Sequence, residues 1–574
     1  MSCDKNNNVF NHLPTEIWSI VIDILQWESW ATLHSLNLSC RDFHQIVSPV
    51  LFGTIRIYFP PAERWGNALR FQNTLSVPLF SNLHFQQPPD WTLPGYATNT
   101  DPQIEQSKDR RRLHRLIEPD IGQTIYHHVR ILVVSYGLGY EESKYSQAIQ
   151  RLVENLKNLQ TIRWRGIPFP PHLFQILHGR HSPPQLFYEG APQAITSEPL
   201  LIGASYTKSL SITCPPTPVQ DNSANKLGKV ILSLPRLERL SLKRAADRFW
   251  RQSGACISPV FCLGPDSELP RSLRILSFAN FTFNEEQAAA WARCIKPLNI
   301  YHLGLDGFSR VSTLLSALVG SVPGLRSFAI RVLNGPDAPI DPHFVPLLDQ
   351  FLQSLNQLEC LFIRDLPKEV LGSVIRHQGK HLRQLRFGET GCATMLPPAG
   401  KVCAFSPDEI GQLTKGLPCV ERLSLDLRFE DHIPYEYLDA LACFPSLKNI
   451  EFNTRSFRGA RVTGGYPNQW LDESIAREAF RYVDTRTRRR LAGLNIKVGQ
   501  WDRIFYASKN KELRYTYIYA AWRESHASSL VQVIHLPCRL GCYSHLADDD
   551  MYEQTMDSAG LGHSDRAHFG PGIS

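Results

Sequence analysis

One hydrophobic figure recurs along most of the chain: two apolar residues three apart, then a third two positions further on, with polar residues between. It reads Val129/Leu132/Val134, Leu159/Ile162/Trp164, Thr207/Leu210/Ile212 and Leu237/Leu240/Leu242. It continues as Leu273/Leu276/Phe278, Ile300/Leu303/Leu305, Leu325/Phe328/Ile330, Leu358/Leu361/Ile363 and Leu382/Leu385/Phe387. It closes with Val420/Leu423/Leu425, Leu447/Ile450/Phe452 and Leu491/Leu494/Ile496. The alternating end of each figure predicts a short strand with one buried face. Between the strands the period changes to that of a helix, as over 146–159, 311–325, 343–358, 367–382, 406–420 and 434–447. Ser406-Pro407-Asp408-Glu409 has the order of a helix start: a capping hydroxyl, a proline that needs no N–H, then acids on the dipole. Strand and helix alternating in one sense predict an α/β fold with a parallel sheet inside and helices outside. Each unit then buries its leucines only against its neighbours, so the central Leu240, Leu276, Leu361 and Leu423 are expected to be fully enclosed.

The first fifty residues follow a different pattern. Leu13-Pro14 suits a first helical turn, and Glu16 lies near the positive end of that helix. Ile17, Ile20, Val21, Ile24 and Leu25 recur at helical spacing. A second helix is expected around Leu33, Leu36 and Leu38, and a third around Phe43, Ile46 and Val47 before Pro49. Three helices in about 45 residues bury little core, so this module needs a partner or the rest of the chain.

Leu13, Pro14, Glu16, Ile17, Ile20, Leu25, Leu33, Leu36, Ser39, Cys40, Arg41 and Phe43 fall in the order of an F-box: Leu-Pro-x-Glu-(Ile/Leu), an apolar helix, a Leu-x-x-Leu step, then (Val/Ser)-Cys-Arg-x-Phe. The stretch resembles that family, and Pro49-Val50-Leu51-Phe52 with Ile55-Arg56-Ile57 is similar to its fungal members. The alternative is a generic three-helix cap on the following domain. The resemblance implies an adaptor-binding face for a Skp-family protein on Leu13, Pro14, Glu16, Ile17, Ile20, Leu25, Leu33, Leu36, Cys40 and Phe43. The repeated body resembles the irregular leucine-rich-repeat solenoids found behind F-boxes; its alternative is an ordinary α/β domain with leucine-rich strands. The expected organisation is an F-box module over 9–58, an irregular linking segment over 59–124 and a solenoid over 125–500. A cap or extension follows over 501–546, then a disordered tail over 547–574. The Pro-rich stretch 214–229 is expected to be an exposed insertion.

Composition narrows the function classes. Hydrophobic residues make up 43% of the 574, too many for a disordered chain. A net charge of +7 over that length is too dilute for a dedicated nucleic-acid binder, and the runs Arg110–Arg112 and Arg488–Arg490 read as solvated faces. The apolar run Ile20-Val21-Ile22 ends at Asp23, far short of the roughly 18 residues a membrane span needs. From a polar start without a signal-peptide core, a location in the cytosol or nucleus is expected. In a reducing compartment Cys40, Cys214, Cys294, Cys360 and Cys443 read as small buried hydrophobes.

The chain carries no Walker loop, GxSxG, HExxH or GxGxxG after a strand, so a non-catalytic role without cofactors is expected. His535, Cys538, Cys542 and His545 have ligand-like spacing for a tetrahedral metal, but lack the finger loop that usually separates two ligand pairs. Between the buried strand positions lie Arg163, Arg165, Arg239, Lys243, Arg331, Arg364, Arg386 and Arg422, against few acids: Asp306, Asp426 and Glu451. These point to the other, concave face. They either solubilise it and pair with acids on neighbouring strands, or grip an acidic or phosphorylated target segment. Taken with the resemblance, the expectation is the substrate-recognition subunit of a Skp–cullin–F-box ubiquitin ligase. The alternative is a non-ligase F-box scaffold.

Overall fold

The computed structural model describes scattered helical positions between 18 and 48, then 53–59, 75–76, 126–136, 146–165, 169–191, 199–214 and 223–244. It further describes 263–308 (except 265, 280 and 282), 311–333, 343–364, 366–388, 405–427, 433–454, 472–498 (except 489), 515–523 and 531–539. Two compact units divide the chain: residues 1–242 with 270–272, and residues 243–269 with 273–574.

The first unit is built on β1 (Thr54–Phe59), β2 (Leu75–Ser76), β3 (Ile131–Tyr136), β4 (Thr161–Arg165), β5 (Gln185–Gly190), β6 (Thr207–Cys214) and the start of β7 (Arg239–Arg244). Its helices are α1 (Ser146–Asn155), α2 (Pro171–His178) and α3 (Ser223–Ser233). Strands β1, β3, β4, β5 and β6 pair in parallel in that order, and β2 pairs antiparallel to β1. Leu132, Ile162 and Leu186 stand in one register row, and Val134, Trp164 and Tyr188 in the next. Both rows are buried. Trp164 stacks edge-on against Phe169 at 4.8 Å, and Phe169 lies 4.5 Å from Phe174 of α2.

Three features of this unit differ from the sequence expectation. Ile55-Arg56-Ile57, read as the trailing part of the helical module, lies in β1 and pairs along β3 from Thr54↔Ile131 to Phe59↔Tyr136. The stretch 60–125 therefore connects two adjacent strands of one sheet. The long interval between the Ile162 and Leu210 figures holds a further strand, β5, whose Leu186 and Tyr188 alternate with Pro183 in the place of the leading residue. The stretch 214–229 is not loose throughout: α3 begins at Ser223, because Leu227, Val230, Ile231 and Leu234 bury one face at helical spacing.

The second unit continues the same scheme with β8 (Ile275–Ala279), β9 (His302–Phe308), β10 (Ser327–Leu333), β11 (Cys360–Arg364), β12 (Gln384–Gly388), β13 (Arg422–Asp426), β14 (Asn449–Thr454) and β15 (Gly493–Val498). Its helices are α4 (Glu285–Ile295), α5 (Val311–Leu318), α6 (Phe344–Gln353), α7 (Val370–Gln378), α8 (Pro407–Gly416), α9 (Tyr435–Ala442) and α10 (Glu473–Arg486). All eight strands are parallel and adjacent in chain order. Leu276, Leu303, Phe328, Leu361, Leu385, Leu423, Ile450 and Leu494 form one continuous buried row across them. The row beside it holds Phe278, Leu305, Ile330, Ile363, Phe387, Leu425, Phe452 and Ile496. Leu240, Leu276 and Leu361 are wholly enclosed and Leu423 nearly so. Helix side chains close this face: Trp291 lies 4.8 Å from Phe278, and Phe351 lies 4.9 Å from Phe328.

From β9 onward the parallel strands enter the sheet through one repeated hydrogen-bond pattern. Two successive N–H groups donate to a single carbonyl of the preceding unit: Tyr301 and His302 to Arg274, Arg326 and Ser327 to Tyr301, Glu359 and Cys360 to Arg326. The pattern continues with Arg383 and Gln384 to Glu359, Glu421 and Arg422 to Arg383, and Lys448 and Asn449 to Glu421. From Arg326 to Lys448 the side chains of this entry row alternate in charge, and Arg326–Glu359 and Glu421–Lys448 form ion pairs across strands. The unit spacing in the sequence is irregular because loops vary, while this entry step does not.

Within 501–546, the stretch expected to form a cap or extension, the parallel array ends in an antiparallel hairpin. Strands β16 (Tyr515–Arg523) and β17 (Val531–Arg539) add to β15 in turn. Asp484 of α10 ties the hairpin down: it is buried, accepts the Leu491 N–H at 2.8 Å and pairs with Arg523 of β16. Gly379 and Gly416 let α7 and α8 end in contact, since a Cβ at Gly379 would overlap the Gly416 carbonyl oxygen.

The start of α8 matches its sequence signature. Ser406 Oγ accepts the Glu409 N–H at 3.2 Å, and Glu409 Oε2 accepts the Ser406 N–H at 2.8 Å. Glu409 also pairs with Lys368, and that bond, ahead of the Ser406 N–H, holds its carboxyl below the usual 4.5. A depressed carboxyl contributes stability that is present above its unfolded-state pKa and is lost as pH falls through the folded one. Glu409→Gln is expected to lower the Tm slightly at pH 7 and to reduce the loss of Tm on acidification below roughly pH 4, as read by thermal melts at both pH values.

Candidate interaction surfaces

In the N-terminal module, Trp18, Val21, Leu36 and Phe43 are helical. Phe43 is buried and meets Trp18 edge-on at 5.0 Å. Val47 and Ser48 are buried beyond it, Leu36 is half-buried, and Leu38 is 82% exposed. Ser39 Oγ donates to the Leu36 carbonyl at 2.7 Å. Of the adaptor-binding residues expected from the resemblance, Leu13, Pro14, Glu16, Ile17, Ile20, Leu25, Leu33 and Cys40 lie outside the described residues.

On the sheet, all eight basic residues occupy the rows that alternate with the buried ones, and all are half-buried. The guanidinium of Arg163 lies 5.8 Å from the centre of the Phe187 ring, its register neighbour on β5. Arg165 pairs with Glu189 at 3.4 Å. Arg239 and Lys243 stand four residues apart on β7, on the same face of the strand. Arg331 and Arg364 are direct register neighbours, with Asp306 on the other side of Arg331. Arg386 reaches across β13 to Glu451 at 3.3 Å, and Ser424 between them donates to the same carboxylate at 3.0 Å. Arg422 stands between Gln384 and Asn449.

The expected excess of positive charge is therefore smaller than the sequence suggested. Glu189 belongs to β5, the strand without the repeat figure, and so was missing from the acids of this face. Arg165 and Arg386 are each committed to a carboxylate of the same chain. The side chain of Asp426 lies outside the described residues.

Other sequence candidates are distributed as follows. His535 and Cys538 lie in β17, in register with Tyr519 and Thr516 of β16. Cys542 and His545 lie outside the described residues, as do Cys40 and Arg110–Arg112. Among the described residues no group of three or more His, Cys, Asp or Glu side chains is placed to hold a metal ion. Cys214, Cys294 and Cys360 are buried, but Cys443 is exposed. It ends α9 at a turn, where its thiol donates to the Asp439 carbonyl at 3.3 Å, and the apolar Phe444 takes the enclosed place instead.

Two polar clusters carry no signal in the sequence. His302 Nδ1 lies 2.8 Å from Ser327 Oγ, but both residues are enclosed, and no substrate reaches them. Tyr482 donates to Asp439 at 3.0 Å between α10 and α9, and Arg486 covers the Tyr482 ring at 3.6 Å while pairing with the same carboxylate at 3.2 Å. This cluster staples two helices and supplies no nucleophile. Among the described residues no helix is long and apolar enough to cross a membrane.

No family model matches this chain, and no curated protein matches it. Solved structures do match, 45 chains in all. One belongs to the crystal structure of the Rad7 and Elc1 complex in yeast. It is 12% identical, has a TM-score of 0.32, and the match covers 60% of this chain and 76% of that one.

Proposed function

We propose that this chain is the substrate-recognition subunit of a Skp–cullin–F-box ubiquitin ligase. Its helical module docks a Skp-family adaptor and through it a cullin, and its repeat sheet holds a protein target. The protein performs no bond chemistry itself; it raises the local concentration of the target at the ligase and orients it. Its place is the cytosol or nucleus. The observation that carries this reading is the ordered agreement of Leu13, Pro14, Glu16, Ile17, Leu33, Leu36, Cys40, Arg41 and Phe43 with the F-box pattern. The long sheet supports it, because a rigid surface of half-exposed polar residues is what target recognition by a non-catalytic subunit needs.

Affinity capture from the native cell followed by mass spectrometry tests the reading. Adaptor and cullin are expected together. Adaptor without cullin would favour the non-ligase scaffold, and the absence of both would remove the F-box reading.

A further inference from the structure

Across β12, β13 and β14 the outward face of the sheet carries two rows of different character. One row holds Arg386, Ser424 and Glu451; its charges are paired by the Arg386–Glu451 contact and Ser424 donates to the same carboxylate, while Arg386 Nε is enclosed without a hydrogen bond among the described residues. The other holds Gln384, Arg422 and Asn449, aligned strand by strand, each half-exposed. Arg422 has no ion pair or hydrogen bond among the described residues, and its two register neighbours are neutral amides. Among the described side chains the acids near it are taken: Glu451 by Arg386 and Ser424, and Glu421 by Lys448. The amide oxygen of Gln384 is enclosed and has no hydrogen-bond partner among the described residues, so it is available to accept a peptide N–H.

We infer that the row Gln384–Arg422–Asn449 is the contact point for a carboxylate-bearing, extended segment of the target protein. This rests on reading the chain as a target receptor. One guanidinium flanked by neutral amides matches a single negative charge; a phosphate dianion calls for more than one cation. The carboxylate of a glutamate or aspartate takes the guanidinium of Arg422. The amides of Gln384 and Asn449, able to donate and to accept, take the peptide groups on either side. Two strand steps separate those amides by about 10 Å, which an extended peptide crosses in about three residues. The recognised segment thus runs across the strands with its acid in the middle. Arg165 and Arg386, already neutralised, do not take part.

The test is anisotropy titration of the full chain with degenerate pentapeptide pools whose central residue is glutamate, glutamine or phosphoserine. The wild type is expected to prefer the glutamate pool over the glutamine pool at least about tenfold, with the preference weakening as salt is added. Arg422→Gln is expected to abolish the preference, Arg422→Lys to keep part of it, and Arg165→Gln to leave it unchanged. Equal binding of the glutamate and glutamine pools by the wild type would overturn the inference. So would a preference for phosphoserine, or equal losses in Arg422→Gln and Arg165→Gln. Adaptor capture measured on the same variants separates this from the receptor reading: capture intact with no pool preference removes only the contact point.

Discussion

Leu361→Ala is expected to destabilise the second unit by about 2–5 kcal/mol, the range for emptying a leucine-sized site in a packed core. Leu361 lies in β11 between Phe328 of β10 and Leu385 of β12 in a single register row, and it is wholly enclosed. Its strand neighbours are held by parallel pairing on both sides, so the sheet cannot close over the gap without breaking register. Because each unit buries its apolar face only against adjacent units, the loss should spread to them rather than stay local. Denaturant unfolding of the variant, with native-state hydrogen exchange on β10 and β12, measures both effects. Leu38→Ala, at an 82% exposed position, should change stability by less than about half a kcal/mol and serves as the reference. A cost as small as that at Leu361 would contradict the repeat register.

Joint replacement of Leu13 and Pro14 by alanine is expected to abolish adaptor capture. Apolar anchors at the centre of a small docking face carry most of its binding free energy, so losing two should weaken the complex by a hundredfold or more, at about 2 kcal/mol each. The pair lies in the N-terminal module, away in sequence from every strand of the repeats, so the thermal melt of the sheet should be unchanged. Pull-down with a purified Skp-family adaptor, alongside that melt, checks both halves. Undiminished capture by the double variant would sink the F-box reading.

The class of the fold could be read from the chain because its evidence is local. Leu361 and Ile363, or Leu423 and Leu425, reveal a strand by alternation alone. The cap of α8 is readable because Ser406, Pro407 and Glu409 act within one turn. Repetition then implies the parallel order, since one strand–helix unit can bury its face only on the next. Strand β5 escaped because Pro183 stands where the leading residue of the figure would be; its Leu186 and Tyr188 lie between β4 and β6. The same holds for β1, whose place in the sheet is set by β3, more than seventy residues later in the chain.

The face charge was legible only in outline. Alternation placed Arg165, Arg386 and Arg422 on the outward rows, but it says nothing about which strand lies beside which at what offset. That offset decides their fate. Register puts Glu189 next to Arg165, brings Glu451 within reach of Arg386 across one strand, and leaves Arg422 between two neutral amides. The sequence by itself determined that this protein repeats strand and helix and that the leucines of the repeated figure face inward. Only the tertiary structure decided which charges meet, because a Coulomb interaction depends on distances between strands that sequence spacing does not contain.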